Sequence, residues 1–169
     1  MKFARIWLEY ATARLVLGLL GLLPREVAIH LSMRLSRVAF SLLPKLLRVG
    51  LRNLEIAYPN LSLGERRALL AHSLESLGRV FGELSHLKNV TRETLATRVD
   101  FRVPPETLAR YEEAKASGRG VIFVTPHLGN WEILVLATSA LLEPITYLAR
   151  PLDNPLLDRM TAKIRTRFG

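Results

Sequence analysis

Cysteine is absent from the chain. That excludes disulfide scaffolds, cysteine-based zinc sites and a thiol nucleophile, and it leaves the redox compartment open. Aromatic residues are scarce at 7%, with no basic–aromatic alternation of the kind that stacks single-stranded nucleic acid. No G-x-S-x-G motif marks a serine nucleophile. No apolar run is long enough to cross a bilayer. The stretch LVLGLLGLL at 15–23 has nine residues, about 14 Å of helix against a hydrocarbon core of about 30 Å. Acids are also in short supply, with 15 Asp or Glu against 24 Lys or Arg over 169 residues. At 49% apolar the chain is too greasy for disorder and suits one domain plus an appendage.

The surplus positive charge is not spread evenly. Residues 1–53 hold nine Lys or Arg against two acids, Glu9 and Glu26, while residues 54–169 hold fifteen against thirteen. The basic part is also the most apolar part. That pairing points to an anionic membrane surface as partner and away from nucleic acid. Residues 6–23 read as a helix of about 27 Å that carries Glu9 and Arg14, so a short spanning anchor and an interfacial helix both fit. A secretory signal fits less well, because Pro24-Arg25-Glu26 follows where a small-residue cleavage site belongs. Cations flank both ends and fix no orientation.

Residues 25–43 repeat apolar positions at helical spacing (Val27, Leu31, Leu35, Val38, Leu42) beside a polar stripe of His30, Arg34, Arg37 and Ser41. Lys45, Arg48 and Arg52 continue the basic stripe beyond Pro44. Such stripes are either solvated faces or surfaces for phosphate head groups, each nearby cation contributing on the order of 1 kcal/mol. The apolar run beside them favours the head groups. A helix ends before Pro59. Ser62 and Glu65 then form a capping box for a long helix over 63–87, whose Leu69, Leu70, Leu74, Leu77, Val80, Phe81 and Leu84 are expected to be buried. His72 and His86 on this helix are expected to be surface or packing residues.

From about residue 99 the pattern alternates. Strands are expected at 99–103, 120–125 (GVIFVT) and 145–149, and helices at 104–116, 131–142 and 154–168. The expected fold class is α/β: an N-terminal helical, membrane-associated region followed by an incomplete, mostly parallel sheet with crossover helices. The expected divisions are an anchor helix at 1–24, a helical region at 25–98 and the α/β part at 99–169. In such sheets the site lies beyond the carboxyl ends of the strands. His127 falls there, in Pro126-His-Leu-Gly-Asn-Trp-Glu132. Asn130 is placed to N-cap the next helix and Glu132 sits in its first turn. A strand-end imidazole separated by four residues from a first-turn carboxylate can act as a general base, the carboxylate orienting the ring and stabilising the imidazolium. Gly129 leaves room for substrate against the backbone, and free amides at the helix start suit an oxyanion. The other three histidines have no acid at this spacing. A structural histidine at a strand end is the alternative.

The block HLGNWE after GRGVIFVTP resembles the signature of the bacterial lipid A late acyltransferases, within the glycerolipid H-x4-D/E acyltransferase superfamily. RNLEIAYP at 52–59 with the following LSLGERR, and YLARPLDNPLL at 147–157, agree with it. The resemblance implies a bacterial inner-membrane enzyme with its site at the cytoplasmic face. Such an enzyme moves a fatty acyl chain from an acyl carrier protein thioester, the co-substrate, onto a hydroxyl of a glycolipid acceptor. His127 would be the general base and Glu132 its partner. Arg150 and Asn154 would join Gly129 and Asn130 on the substrate side, with Arg150 suited to phosphate or an oxyanion. No cofactor and no metal are expected. Family members continue through further strands and another substrate-facing motif. The chain therefore reads as an N-terminal portion, expected to fold poorly in its α/β part and to show little activity by itself. The alternatives are acylation of another glycolipid, such as a phosphatidylinositol mannoside, and a non-catalytic membrane-associated module with a vestigial dyad.

Overall fold

A computed structural model describes residues 2–126 and 128–169. Eight α-helices lie among them: α1 (Lys2–Leu20), α2 (Arg25–Ser41), α3 (Pro44–Ala57), α4 (Leu63–Leu84), α5 (Arg92–Arg98), α6 (Pro105–Ala116), α7 (Trp131–Ala137) and α8 (Pro155–Arg165). A 3-10 turn at Leu87–Asn89 follows α4, and a π turn at Thr138–Leu142 continues α7. Chain contacts divide these elements into two compact units. The first comprises Met1–Val90 with Tyr147–Arg167, and the second Thr91–Thr146 with Phe168–Gly169.

Local chemistry explains where most helices begin. Ser62 Oγ accepts from the Glu65 backbone N–H at 3.3 Å, and the Ser62 N–H donates to Glu65 Oε2 at 2.8 Å, so α4 opens with a complete capping box. The Ser62 hydroxyl, and after it the Ser62 backbone N–H, hold the Glu65 carboxyl below the usual carboxylate range. Thr91 and Thr94 cap α5 in the same reciprocal way. Pro44, Pro105 and Pro155 stand in the first turns of α3, α6 and α8, where the missing amide hydrogen costs nothing.

The first unit is built on the crossing of α2 and α4, which depends on small side chains. A Cβ on Gly82 would lie 2.6 Å from the Ile29 Cα, and one on Gly78 would lie 2.7 Å from both the Met33 Cα and the Ser32 carbonyl oxygen. The facing surface of α2 is Ala28, Ile29, Ser32 and Ser36, all buried. Backbones can approach this closely only where side chains are minimal. At one end of the crossing Arg25 grips the buried Glu83 with two hydrogen bonds, Nε to Oε2 at 3.0 Å and Nη2 to Oε1. Unlike Ile29, the leucines and valines on this stretch consequently point away from the crossing. Val27, Leu31, Leu35, Val38 and Leu42 are all exposed, Leu35 at 51%. On α4, Val80 is buried, Leu69, Leu70, Leu74, Leu77 and Leu84 are half-buried, and Phe81 faces outward.

The expected α/β architecture is not present: there is no β-strand among the described residues. In the second unit the run 120–125 is irregular and solvent-facing, with Ile122 90% and Val124 91% exposed. Residues 99–103 form no strand after α5, and 145–149 form none either, with Leu148 fully exposed. The reason is that a strand, unlike a helix, cannot satisfy its own backbone. Its ladder needs a neighbour brought from elsewhere, and β-branched residues describe a good strand without supplying that neighbour. The core of this unit is helical instead. Leu95 of α5, Leu136 and Ala137 of α7 and Ala140 of the π turn are buried. Arg92 donates to the Ala140 carbonyl, and its guanidinium lies 5.4 Å from the Phe168 ring centroid.

The crossing makes two opposite forecasts on neighbouring small residues. Gly82→Ala forces a methyl into the backbone of α2 and should lower unfolding free energy by about 1–3 kcal/mol. The Ser32 hydroxyl is buried with no hydrogen-bond partner among the described residues, so Ser32→Ala should be neutral or stabilising. Urea unfolding followed by helical circular dichroism measures both. A neutral Gly82→Ala would mean that the helices cross at a greater separation.

Candidate functional site

Two backbone features of the described residues precede α7. The Leu128 N–H donates to the Pro126 carbonyl at 2.8 Å. Gly129 follows with φ +61, in the left-handed region that a side chain would strain, and nothing lies within 4 Å of where its Cβ would be. Asn130 then caps α7, its Oδ1 accepting from the Ile133 N–H at 3.1 Å. The cap holds Glu132, which is half-buried, in the first turn of the helix. The other side-chain atom of Asn130, Nδ2, is buried without a hydrogen-bond partner among the described residues. His127, the expected general base, lies outside the described residues.

Arg150 and Asn154 belong to the first unit, whereas Gly129, Asn130 and Glu132 belong to the second. Arg150 is exposed and pairs with Asp153 at 2.7 Å, also exposed. An ion pair this wet contributes little to stability and leaves the guanidinium open to exchange partners. Asn154 is different. It is buried, and every polar atom of its side chain is engaged. Its Oδ1 accepts from the Leu156 and Leu157 N–H groups at 3.0 and 3.3 Å, capping α8. Its Nδ2 donates to the Ile6 carbonyl at 2.9 Å and to Glu9 Oε2 at 3.0 Å on α1. The geometry makes it the joint between α8 and α1.

The remaining histidines have structural surroundings. His30 Nδ1 lies 2.7 Å from the Glu26 carbonyl on its own helix. His72 is exposed, 3.5 Å from the Glu75 carboxylate. His86 reaches the Leu23 carbonyl with Nε2 at 3.1 Å and Ser85 Oγ with Nδ1 at 2.9 Å, tying the end of α4 to the turn after α1. Trp131 is half-buried, and Tyr147 lies under the Arg165 guanidinium at 6.0 Å.

The profile of the family described as bacterial lipid A biosynthesis acyltransferase matches residues 1–169. The chain belongs to this family. It is 28% identical over 163 residues to the lipid A biosynthesis lauroyltransferase of Escherichia coli K12, covering 91% of this chain and 48% of that protein. The lipid A biosynthesis myristoyltransferase of the same organism is 24% identical over 168 residues, covering 99% and 50%. The lipid A biosynthesis acyltransferase of Haemophilus influenzae is 26% identical over 121 residues, covering 69% and 36%. The chain thus spans half or less of the length of the curated relatives it matches. No solved structure matches it.

Within this lipid A acyltransferase family chain, two structural features at candidate site residues escaped the reading of motifs. One is the joint made by Asn154, whose cap is readable from Asn-Pro at a helix start but whose bonds to α1 are not. The other is the free Nδ2 of Asn130, which depends on burial. Asn154 yields a separable forecast. Asn154→Ala removes both cap and joint and should cost about 1–3 kcal/mol. Asn154→Asp keeps the capping acceptor but replaces the donor with a carboxylate facing Glu9. It should destabilise at pH 7 and recover part of the loss near pH 4, where protonation restores a donor. Urea titrations at the two pH values check this, and an Asp variant with the same deficit at both would remove the joint from the account.

Proposed function

We propose that this protein acts in the transfer of a fatty acyl group from an acyl carrier protein thioester to a hydroxyl of a lipid A-type glycolipid precursor. The observation that carries the reading is family membership across residues 1–169, which includes the H-x4-E block. In this reading His127 takes the proton of the acceptor hydroxyl while Glu132 orients the imidazole and stabilises its cation. The hydroxyl oxygen attacks the thioester carbonyl carbon, and a tetrahedral oxyanion forms. Its collapse breaks the C–S bond, and the imidazolium returns its proton to the departing thiolate. The chain's own atoms are therefore in charge of one proton and one developing negative charge. The buried Nδ2 of Asn130 supports a donor role in the same turn, and the unfilled space at Gly129 supports close approach of substrate to the backbone. Arg150, exposed and only loosely held by Asp153, is suited to a phosphate of the acceptor. Asn154 contributes by fixing the start of α8.

The place of action in this reading is the cytoplasmic face of a bacterial inner membrane, with an anionic membrane surface as partner. No helix among the described residues is long and apolar enough to cross a membrane. What supports surface attachment is α2 with its C-cap: exposed Val27, Leu31, Leu35, Val38 and the C-cap Leu42 form one stripe, and His30, Arg34 and Arg37 run beside it. An apolar stripe edged by cations is the pattern of a helix lying in the head-group region.

Two measurements test these parts separately. Acyl transfer from acyl carrier protein to a lipid A precursor, assayed in membranes of cells expressing the protein, should fall by about 10²–10⁴ in His127→Ala and comparably in Glu132→Ala. Transfer that survives His127→Ala would reject the mechanism. Co-sedimentation with vesicles containing phosphatidylglycerol should drop at least tenfold in Leu35→Glu with helicity unchanged. Equal binding would move the membrane contact off α2.

A further inference from the structure

A cleft of about 680 Å³ runs between α1, the C-terminal end of α4 and α8, wholly inside the first unit. Its size lies in the range of small-molecule sites. Its floor is apolar and half-exposed: Leu17 of α1, Leu84 of α4, and Leu156, Met160 and Ile164, which repeat every four residues along one face of α8. Its rim carries four cations, Arg14, Lys88, Arg159 and Lys163, and no acid. Arg14 is held beside Tyr10, its Nη1 donating to the phenol oxygen at 3.2 Å. Lys88, Arg159 and Lys163 make no ion pair among the described residues.

Four like charges around one opening repel each other, and an apolar floor in water forgoes the gain of burial. Neither feature helps the fold, and one ligand would relieve both. It must have a hydrocarbon chain to cover the floor and an anionic head to sit among the cations. We propose that this cleft binds a single anionic glycerophospholipid, its phosphate among Arg14, Lys88, Arg159 and Lys163 and one acyl chain along Leu17, Leu156, Met160 and Ile164. The binding is stoichiometric and differs from the adsorption of a helix on a bilayer surface. It is also separate from the acyl-transfer reading, because Glu132 of the proposed dyad does not line the cleft.

The wall offers a way to close the cleft without disturbing the fold. Gly18 lines it from α1, nothing lies within 4 Å of where its Cβ would be, and the position is helical. Gly18→Leu therefore fills the cleft at a site where leucine also has better helix propensity than glycine. The probe is a short-chain lysophosphatidylglycerol below its micelle-forming concentration, titrated calorimetrically into the full chain. Lysophosphatidylcholine of the same chain length and inorganic phosphate serve as comparisons. The expected result is saturable one-to-one binding of lysophosphatidylglycerol, at least tenfold weaker binding of lysophosphatidylcholine, and no binding of inorganic phosphate at the same concentration. Gly18→Leu should weaken lysophosphatidylglycerol at least tenfold. The exposed pair Lys88→Gln and Lys163→Gln together should weaken it several-fold and flatten its salt dependence. Should Gly18→Leu lose helicity, the lysine pair decides the question. Non-saturable uptake, equal affinity for the zwitterionic lipid, or unchanged binding in the lysine pair would each overturn the proposal. None of these outcomes bears on the His127 transfer assay, so the two readings fail independently.

Discussion

The first unit depends on how closely α2 and α4 approach. Gly78 and Gly82 have no side chain to hold the helices apart, and α2 answers with Ala28, Ser32 and Ser36, so backbone meets backbone. Packing at that distance recovers dispersion contacts along the whole crossing. It also fixes the rotation of α2 about its axis. Once the small residues face inward, the leucines and valines of the same helix have to face out, and the basic stripe lies beside them. The outward apolar face is therefore a consequence of the crossing. Arg25 and Glu83 lock one end of it, and the bidentate geometry gives direction as well as attraction to a contact that is otherwise apolar.

The placement of α8 has a different physical basis. It returns from a distant part of the sequence and meets α1 through Asn154, a side chain whose acceptor caps one helix while its donor holds the other. A single amide with both functions satisfied tolerates burial that a charged residue would not. The apolar repeat of α8 then faces the cleft beside α1, and its cations stand at the edge. Arg167 adds a second tie, donating to the carbonyls of Leu87 and Val90 at 2.8 and 3.1 Å. The positive character that composition places in the N-terminal third thus gains, in space, the cations of a C-terminal helix.

In the candidate site, the part readable in advance was the part governed by neighbours in sequence. Asn130 is expected as the cap of the following helix and takes that role, with Glu132 in the first turn. Gly129 was chosen for backbone room, and its positive φ supplies a second reason for glycine there. The catalytic roles proposed for His127 and Glu132 rest on the family and the motif. Arg150 could be found only through the resemblance, because nothing local distinguishes it from any surface cation beside a proline. Asn154 is placed on the substrate side on the same basis, and its side chain bonds to α1 and α8.

What the sequence determined by itself is most of the helices and several of their starting points, although α5 was not foreseen and α1 begins at Lys2, ahead of the expected residue 6. A helix satisfies its own backbone within four residues, so Ser62 with Glu65, the prolines at first-turn positions and the apolar spacing carry enough information. The absence of cysteine and the position of the charge likewise needed no structure. The expectation of strands failed because a ladder is a tertiary bond: GVIFVT has the composition of a buried strand, and in the structure it lies in water without a partner strand among the described residues. Tertiary structure alone decided which face of α2 is inside, because hydrophobicity favoured the leucines while steric fit favoured alanine and serine. It also decided that Asn154 joins α8 to residues of α1 that lie 145 and 148 positions away in sequence, an interaction that no local pattern encodes.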